Sequence, residues 1–305
     1  MDILRIEHLS QKFGEHQILN DVNFSVSENS IFGFLGQNGA GKTTTMKIIL
    51  GLMKPVSGKV SILGETVTYG QTDTNRFVGY LPDVPEYYTF MTPKEYLTLC
   101  GEITNMPSNI IKSRVDEMLE MVGLTNANKK IGGFSRGMKQ RLGIAQALLN
   151  EPRLLICDEP TSALDPLGRK EILDILYQVK GKTTVVFSTH ILSDVERICD
   201  NIAVLNKGKI VLEGSIQEIK SKERKEKIVV DFRNKTETNK FMTLPEFKRI
   251  EKDTEKTENG IIINSTELDT MFSYLMNTLA EHKMIPSKLE VLEPTLEDLF
   301  MEVIG

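Results

Sequence analysis

Tryptophan is absent from this 305-residue chain, and cysteine and histidine are scarce, at three and four residues. Cys100, Cys157 and Cys199 stand far apart with no CxxC spacing. That excludes a disulfide framework and a cysteine zinc site, and it suits a reducing compartment. No apolar run approaches the roughly 20 residues that a helix needs to cross a bilayer. Met1-Asp2-Ile3-Leu4-Arg5-Ile6 lacks the basic and apolar regions of a secretion signal. A large excess of one charge is also missing: 37 Lys and Arg against 42 Asp and Glu leave a net charge of −5. A mildly acidic chain makes a poor general nucleic-acid coat, which wants a basic surface. These absences predict a cytosolic globular protein that reaches a membrane only through a partner, and the 305-residue length leaves room for about two domains.

The apolar pattern organises what is present. Leu4, Ile6 and Leu9 alternate, as do Val22, Phe24 and Val26, and each set predicts a strand. Ile31-Phe32-Gly33-Phe34-Leu35 is a short continuous run that suits a strand buried on both faces. A helix is expected from Gly41 to Leu50, stopped by Gly51. From about 82 to 152 the chain reads as mostly helical. Thr92-Pro93-Lys94-Glu95 combines an N-cap, a proline at the first helical position and a capping-box acid. Ile111, Val115, Met118, Leu119 and Val122 form one helical stripe before Gly123, and Ser135 is placed to cap a third helix. Leu154–Cys157 and Val185–Phe187 are strand-like runs flanking a helical pattern, which implies a parallel sheet. Asn206-Lys207-Gly208-Lys209 reads as a hairpin turn.

Residues 219–226 are almost all charged and read as a linker or the solvated end of a helix. Beyond it, strands are expected at 228–232, 260–264 and 288–292, with a helical stripe over 268–279 and a second capping box at Thr295–Asp298. Residues 227–305 therefore read as a small α+β domain of ferredoxin-like type. No internal repeat or low-complexity segment interrupts the chain.

Gly36-Gln37-Asn38-Gly39-Ala40-Gly41-Lys42-Thr43 fits G-x-x-x-x-G-K-[ST] and lies between an expected strand and an expected helix. The glycines let backbone N–H groups turn inward around a phosphate, and the helix adds its positive end. Lys42 can reach β- and γ-phosphates, and the Thr43 hydroxyl can bind Mg²⁺; Thr44 completes the loop residues assigned to the nucleotide. The alternative is a glycine-rich turn that binds nothing. Leu154–Cys157 ends in Asp158-Glu159. Adjacent side chains leave a strand on opposite faces, so the two acids should have different tasks. Asp158 can hold Mg²⁺ through its water shell, while Glu159 can orient or deprotonate an attacking water. Alone, the pair is equally well a solvated acidic turn.

With these motifs in order, residues 2–217 resemble the ATP-binding subunit of an ABC transporter. Phe134-Ser135-Arg136-Gly137-Met138-Lys139-Gln140-Arg141 stands at the place of the family signature, usually written LSGGQ. Ser162-Ala163-Leu164-Asp165 matches the D-loop, and Ser188-Thr189-His190 matches the switch histidine. Phe13 falls where the family has an aromatic that stacks on adenine. Read alone, Phe13 is a packing aromatic, His190 a surface residue and Asp165 a helix cap. The resemblance implies an α/β P-loop NTPase over 1–218 with a helical subdomain at about 82–152, a charged linker at 219–226 and an accessory domain over 227–305. It also implies ATP and Mg²⁺, a homodimer with Ser135 and Gly137 facing a partner copy's γ-phosphate, and His190 bonded to the γ-phosphate. Two departures stand out. Asp83 occupies the place of the Q-loop glutamine, where it can reach Mg²⁺ through water, and Arg136 replaces the first signature glycine.

The family also implies a separate transmembrane permease that docks near Leu81–Tyr88, and a location on the cytoplasmic face of the membrane. The wording of the motifs and the tail Glu293–Phe300 look like the class that exports drugs and peptide antibiotics. Two alternatives stay open: a soluble ATPase acting on ribosomes or DNA, and a nucleotide-gated regulator with little turnover.

Overall fold

In a computed structural model, all residues are described except 72, 127, 128, 223–225, 266, 293–295, 298, 299 and 301–305. The chain divides into two compact units, Met1–Ile216 and Gln217–Gly305.

The first unit holds two sheets. One is antiparallel: β1 (Asp2–Phe13), β2 (His16–Ser27), β4 (Ser57–Ile62) and β5 (Glu65–Thr66), in the order β2-β1-β4-β5. Leu4 faces Val26, Ile6 faces Phe24 and Leu9 faces Val22 across the β1–β2 ladder. Those six residues form one apolar face, so alternation in sequence has become one wall of the core. The other sheet has the order β10-β9-β3-β8-β7-β6. It comprises β3 (Ile31–Leu35), β6 (Val78–Leu81), β7 (Leu154–Asp158), β8 (Thr184–Thr189), β9 (Asn201–Asn206) and β10 (Lys209–Ser215). All neighbours are parallel except the β9–β10 pair. Every residue of β3, β7 and β8 is buried, which is why those runs are apolar without alternation. Phe24 of the first sheet stacks on Phe32 and Phe34 of the second, with ring centroids 5.5 and 5.1 Å away. Helix α1 (Lys42–Ile49) adds Met46, Ile48 and Ile49 to the same core.

The β9–β10 hairpin turns through Lys207 and Gly208, both at positive φ (47° and 77°). Two such residues match the right-handed twist of the strands. A Cβ at Gly208 would lie 2.4 Å from the Ile18 carbonyl, so glycine is also a steric requirement there.

Between β6 and β7 lie α2 (Pro93–Ile103), α3 (Ser108–Met121) and α4 (Arg136–Leu148). Thr92 and Glu95 form the reciprocal capping box at the start of α2. Ile111, Val115, Met118 and Leu119 are the buried stripe of α3. The Ser135 hydroxyl caps α4 by accepting from the Met138 N–H. Arg114 closes the other end, donating to the carbonyls of Leu148 and Leu149. Helix α5 (Pro166–Gln178) and helix α6 (Leu192–Ile198) connect the remaining strands. Among the described residues no helix is long and apolar enough to cross a membrane.

In the charged stretch read as a linker or the solvated end of a helix, α7 (Ile216–Lys222) takes residues 219–222, with Ile219 buried. The second unit runs β11 (Glu226–Asp231), α8 (Lys235–Met242), β12 (Thr254–Lys256), β13 (Gly260–Ser265), α9 (Leu268–Glu281) and β14 (Lys288–Leu292). Its antiparallel sheet has the order β12-β13-β11-β14, the arrangement of a ferredoxin-like βαββαβ domain. Strand β11 begins and ends earlier than the expected 228–232, and Phe232 lies just beyond it. Thr295 and Asp298, the two ends of the second capping box, lie outside the described residues.

The core of this unit joins Ile228, Val230, Ile261 and Ile263 of the sheet to Leu275 and Leu279 of α9. Phe241, 1% exposed, packs against Phe232 and Phe247 at centroid distances of 5.4 and 6.0 Å. Phe241→Ala is expected to destabilise this unit by about 3–5 kcal/mol. Urea denaturation of the full chain should then show a separate, earlier transition.

Candidate functional site

Strands β3, β8 and β7 are consecutive in the sheet, and their C-terminal ends carry the chemistry-bearing residues. Ligands of open α/β sheets bind at that edge. The loop from Gly36 to Gly41 leaves β3 and enters α1. Gly41 sits at φ +113°, and a Cβ there would come within 2.7 Å of Leu19. A Cβ at Gly36 would lie 2.6 Å from the Leu205 carbonyl. The loop therefore has the tight, side-chain-free path that exposes backbone N–H groups to an anion.

Lys42 is 6% exposed. Its ammonium donates to the carbonyls of Gly36 (2.7 Å) and Gln37 (3.3 Å) and lies 3.1 Å from Glu159 Oε1. Glu159 Oε2 lies 3.0 Å from His190 Nδ1. An ionised carboxylate requires the proton on Nδ1, so His190 donates there. Glu159 Oε1 is buried and accepts no hydrogen bond of good geometry, despite its ion pair with Lys42. Such an underused acceptor beside an open cavity marks a place prepared for another donor.

Asp158 ends β7 and is buried. The Ser188 hydroxyl donates to Asp158 Oδ1 at 2.6 Å and accepts from the Glu159 N–H at 3.1 Å. One hydroxyl from the neighbouring strand thus sets both acids. The reason for their divergence differs from the expected alternation of a strand. Glu159 has left β7 and sits at φ +49°, in left-handed backbone rarely adopted outside glycine, Asn and Asp. Ser188 received no separate role at sequence level. The signal that finds it is its register opposite Asp158 in the β7–β8 ladder.

A cavity of about 500 Å³ opens here. Asn38, Gly39, Gly41, Lys42, Thr43, Thr44, Asp83, Glu159 and His190 line it, together with Ser162 of the D-loop motif and Ile18, for which the sequence offered no signal. Gly36, Gln37 and Ala40 belong to the loop without lining the cavity, and neither Phe13 nor Asp158 lines it. Phe13 is half exposed at the end of β1. Ser135 and Gly137 begin α4 and do not line the cavity either. Asp165 caps α5 by accepting from the Gly168 N–H at 3.0 Å. Among the described residues no group of three acids, histidines or cysteines could hold a metal ion. The Thr43 hydroxyl and the Asp83 carboxylate in the cavity lining are hard oxygen donors of the kind that suit Mg²⁺.

Asp83 also accepts from Arg136 Nη2 at 3.2 Å. Burial raises the Asp83 carboxyl above its ordinary value; the Arg136 guanidinium offsets part of that rise, and the Asp158 and Glu159 carboxylates add to it. The pair is over two-fifths exposed on both sides, where such contacts contribute about 0–1 kcal/mol.

Residues 19–162 match the family described as ABC transporter. Over 99% of its length the chain is 36% identical to the bacitracin transport ATP-binding protein BcrA of Bacillus licheniformis, of which it covers 97%. It is 43% identical over 236 residues to the uncharacterized ABC transporter ATP-binding protein YxlF of Bacillus subtilis strain 168, covering 77% of this chain and 78% of that relative. Among solved structures, the ATP binding subunit of an ABC transporter superposes with a TM-score of 0.65 at 34% identity, over 72% of this chain and 92% of that one. The chain cbiO1 of Clostridium perfringens superposes at 0.67 with 25% identity, over 82% and 99%. The chain belongs to the ABC transporter family of ATP-binding subunits, with a P-loop NTPase core. It binds ATP and hydrolyses it.

Ser188→Ala removes the hydroxyl shared by Asp158 and Glu159. Loss of a hydrogen bond to a charged group costs about 1.5–3 kcal/mol, which predicts a fall in turnover of about 10- to 150-fold. Steady-state ATPase assays should show that fall, with ATP affinity by calorimetry largely retained. Lys42→Ala should instead abolish measurable ATP binding in the same titration.

Proposed function

We propose that this chain is the ATP-hydrolysing motor of an exporter of drugs or peptide antibiotics, working as a homodimer beneath a separate transmembrane permease at the cytoplasmic face of the membrane. The convergence of Lys42, Glu159 and His190 at one strand edge carries the reading of the chemistry. The end-to-end similarity to a bacitracin transport protein supports the export class over a ribosome- or DNA-acting ATPase.

The loop N–H groups of Gly36–Gly41 and the ammonium of Lys42 hold the β- and γ-phosphates. Phe13, half exposed, offers a free ring face to adenine, and Ile18 supplies apolar wall. Bound Mg²⁺ would neutralise phosphate charge, held by the Thr43 hydroxyl and, through water, by Asp158 and Asp83. Glu159 orients the attacking water and takes its proton. His190 donates its Nδ1 proton to Glu159 or to the γ-phosphate, one at a time. Ser135 and Gly137 present the start of α4 to the nucleotide of a second copy. A helix N-terminus contributes about 0.3–1 kcal/mol, so the wider interface must hold the dimer. Leu81–Tyr88 is the segment offered to the permease; Val84 and Tyr88 are exposed there.

Glu159→Gln keeps the shape and removes the base, so turnover should fall about 10²- to 10⁴-fold while ATP binding survives. Single-turnover and binding measurements check this. A variant that still turns over at the parent rate would refute Glu159 as the base. Copurification with an integral membrane protein tests the motor role.

A further inference from the structure

Glu159 belongs to a strained turn. It sits at φ +49°, and Ala163, four residues on, sits at φ +53°. Left-handed backbone is costly outside glycine and persists only where surrounding contacts over-determine it. Pro160 and Thr161 lie between the two, and both are buried. The Ser162 N–H donates to the Glu159 carbonyl at 3.1 Å. That bond closes the turn on itself without fastening it to the rest of the fold. Ser188 holds the entry to the turn by accepting from the Glu159 N–H. The exit needs a second anchor.

Asp194 supplies it. This carboxylate, 3% exposed, lies in the first turn of α6. Its Oδ2 accepts from the Thr161 hydroxyl at 2.7 Å. Its Oδ1 accepts from Arg169 of α5, whose Nη2 also donates to Ser193 Oγ at 3.3 Å. A buried carboxylate is tolerated only when paired and hydrogen-bonded. Here the guanidinium answers its charge and the hydroxyl fills its other oxygen. Asp194 is fixed on its own segment too. Its N–H donates to the Ile191 carbonyl at 3.3 Å, and the Ile191 N–H donates to Thr189 Oγ1 at 3.0 Å. Those bonds bracket His190. Thr161 stands two residues after Glu159, and Asp194 stands four after His190. The hydroxyl–carboxylate bond therefore joins the two segments whose side chains meet at 3.0 Å in the cavity.

We propose that Asp194 is a positioning residue for ATP hydrolysis, acting through Thr161 to hold the 159–163 turn against the His190 segment. With the bond made, Glu159 keeps its left-handed backbone and its carboxylate stays on His190. With the bond lost, the turn relaxes and the carboxylate leaves the place where it orients water. This inference rests on the reading of Glu159 as the base.

The test is steady-state ATPase of the full chain, with ATP affinity by calorimetry and thermal unfolding measured beside it. Thr161→Val removes the hydroxyl and keeps the branched shape. Its kcat should fall about 10- to 100-fold, with KM for ATP within about twofold of the parent. Thr161→Ser, which keeps the hydroxyl, should recover most of the lost turnover. Asp194→Asn puts an amide donor against one of the two donors and should show the same split. It decides by the same criteria if Thr161→Val does not fold. In the Glu159→Gln background either substitution should cost little further turnover, because the base that it positions is gone. The same factor of loss in both backgrounds overturns the proposal. So does a raised KM at parent kcat, or parent turnover in both variants, or loss of folding in both. A Glu159→Gln chain that turns over at the parent rate overturns the reading of Glu159 as the base, and this inference with it.

Discussion

The site depends on keeping an ammonium group almost out of water. Lys42 is 6% exposed, and a buried charge is tolerated only when it is paired and hydrogen-bonded. The Gly36 and Gln37 carbonyls satisfy part of that demand from within the loop, and Glu159 supplies the opposite charge. Glu159 follows directly on β7, which does not touch β3; β8 lies between them. The parallel order β3-β8-β7 therefore brings cation and carboxylate within reach. Ser188 of β8 fixes the carboxylate side. A slip of one residue in that ladder would turn Ser188 to the other face of the sheet. Both acids would then lose their common hydroxyl.

What was legible in the sequence follows from range. The strands at 31–35, 154–158 and 184–189 announce themselves because each is buried on both faces and so reads as an apolar run. The phosphate loop is legible because its contacts are local: the Lys42 ammonium bonds carbonyls six and five residues back. Caps are local too, and Thr92, Ser135 and Asp165 all cap the helices expected of them. Pairing between strands is not local. The part of Ser188 appears only once β7 and β8 are in register. Helix α8 escapes an apolar pattern search because its sequence is polar and only Thr238 and Phe241 are buried. Strand β12 is three residues long, too short for any period. Glu159 shows a subtler limit: its separate task is legible, but the cause is a backbone turn at φ +49° that alternation cannot foresee.

The two departures from the family pattern illustrate the same limit. Asp83 in place of a glutamine and Arg136 in place of a glycine each read as a loss when taken singly. They lie 53 residues apart and meet as one ion pair. A carboxylate facing a phosphate site is unfavourable by itself, and so is a cation at a helix N-terminus. Together they cancel within the lone chain.

Cations thus rest on carboxylates twice at this edge, Lys42 on Glu159 and Arg136 on Asp83, and the difference in burial separates their roles. The Lys42 pair sits at 6% and 12% exposure, where screening is weak and neither group can be left bare. It can be broken only by a ligand that supplies charge at the same moment. The Arg136 pair lies at the surface, where water can take over for either partner. It can open without a ligand. The exposed pair is free to sample its alternatives, while the buried pair opens only for an incoming charge.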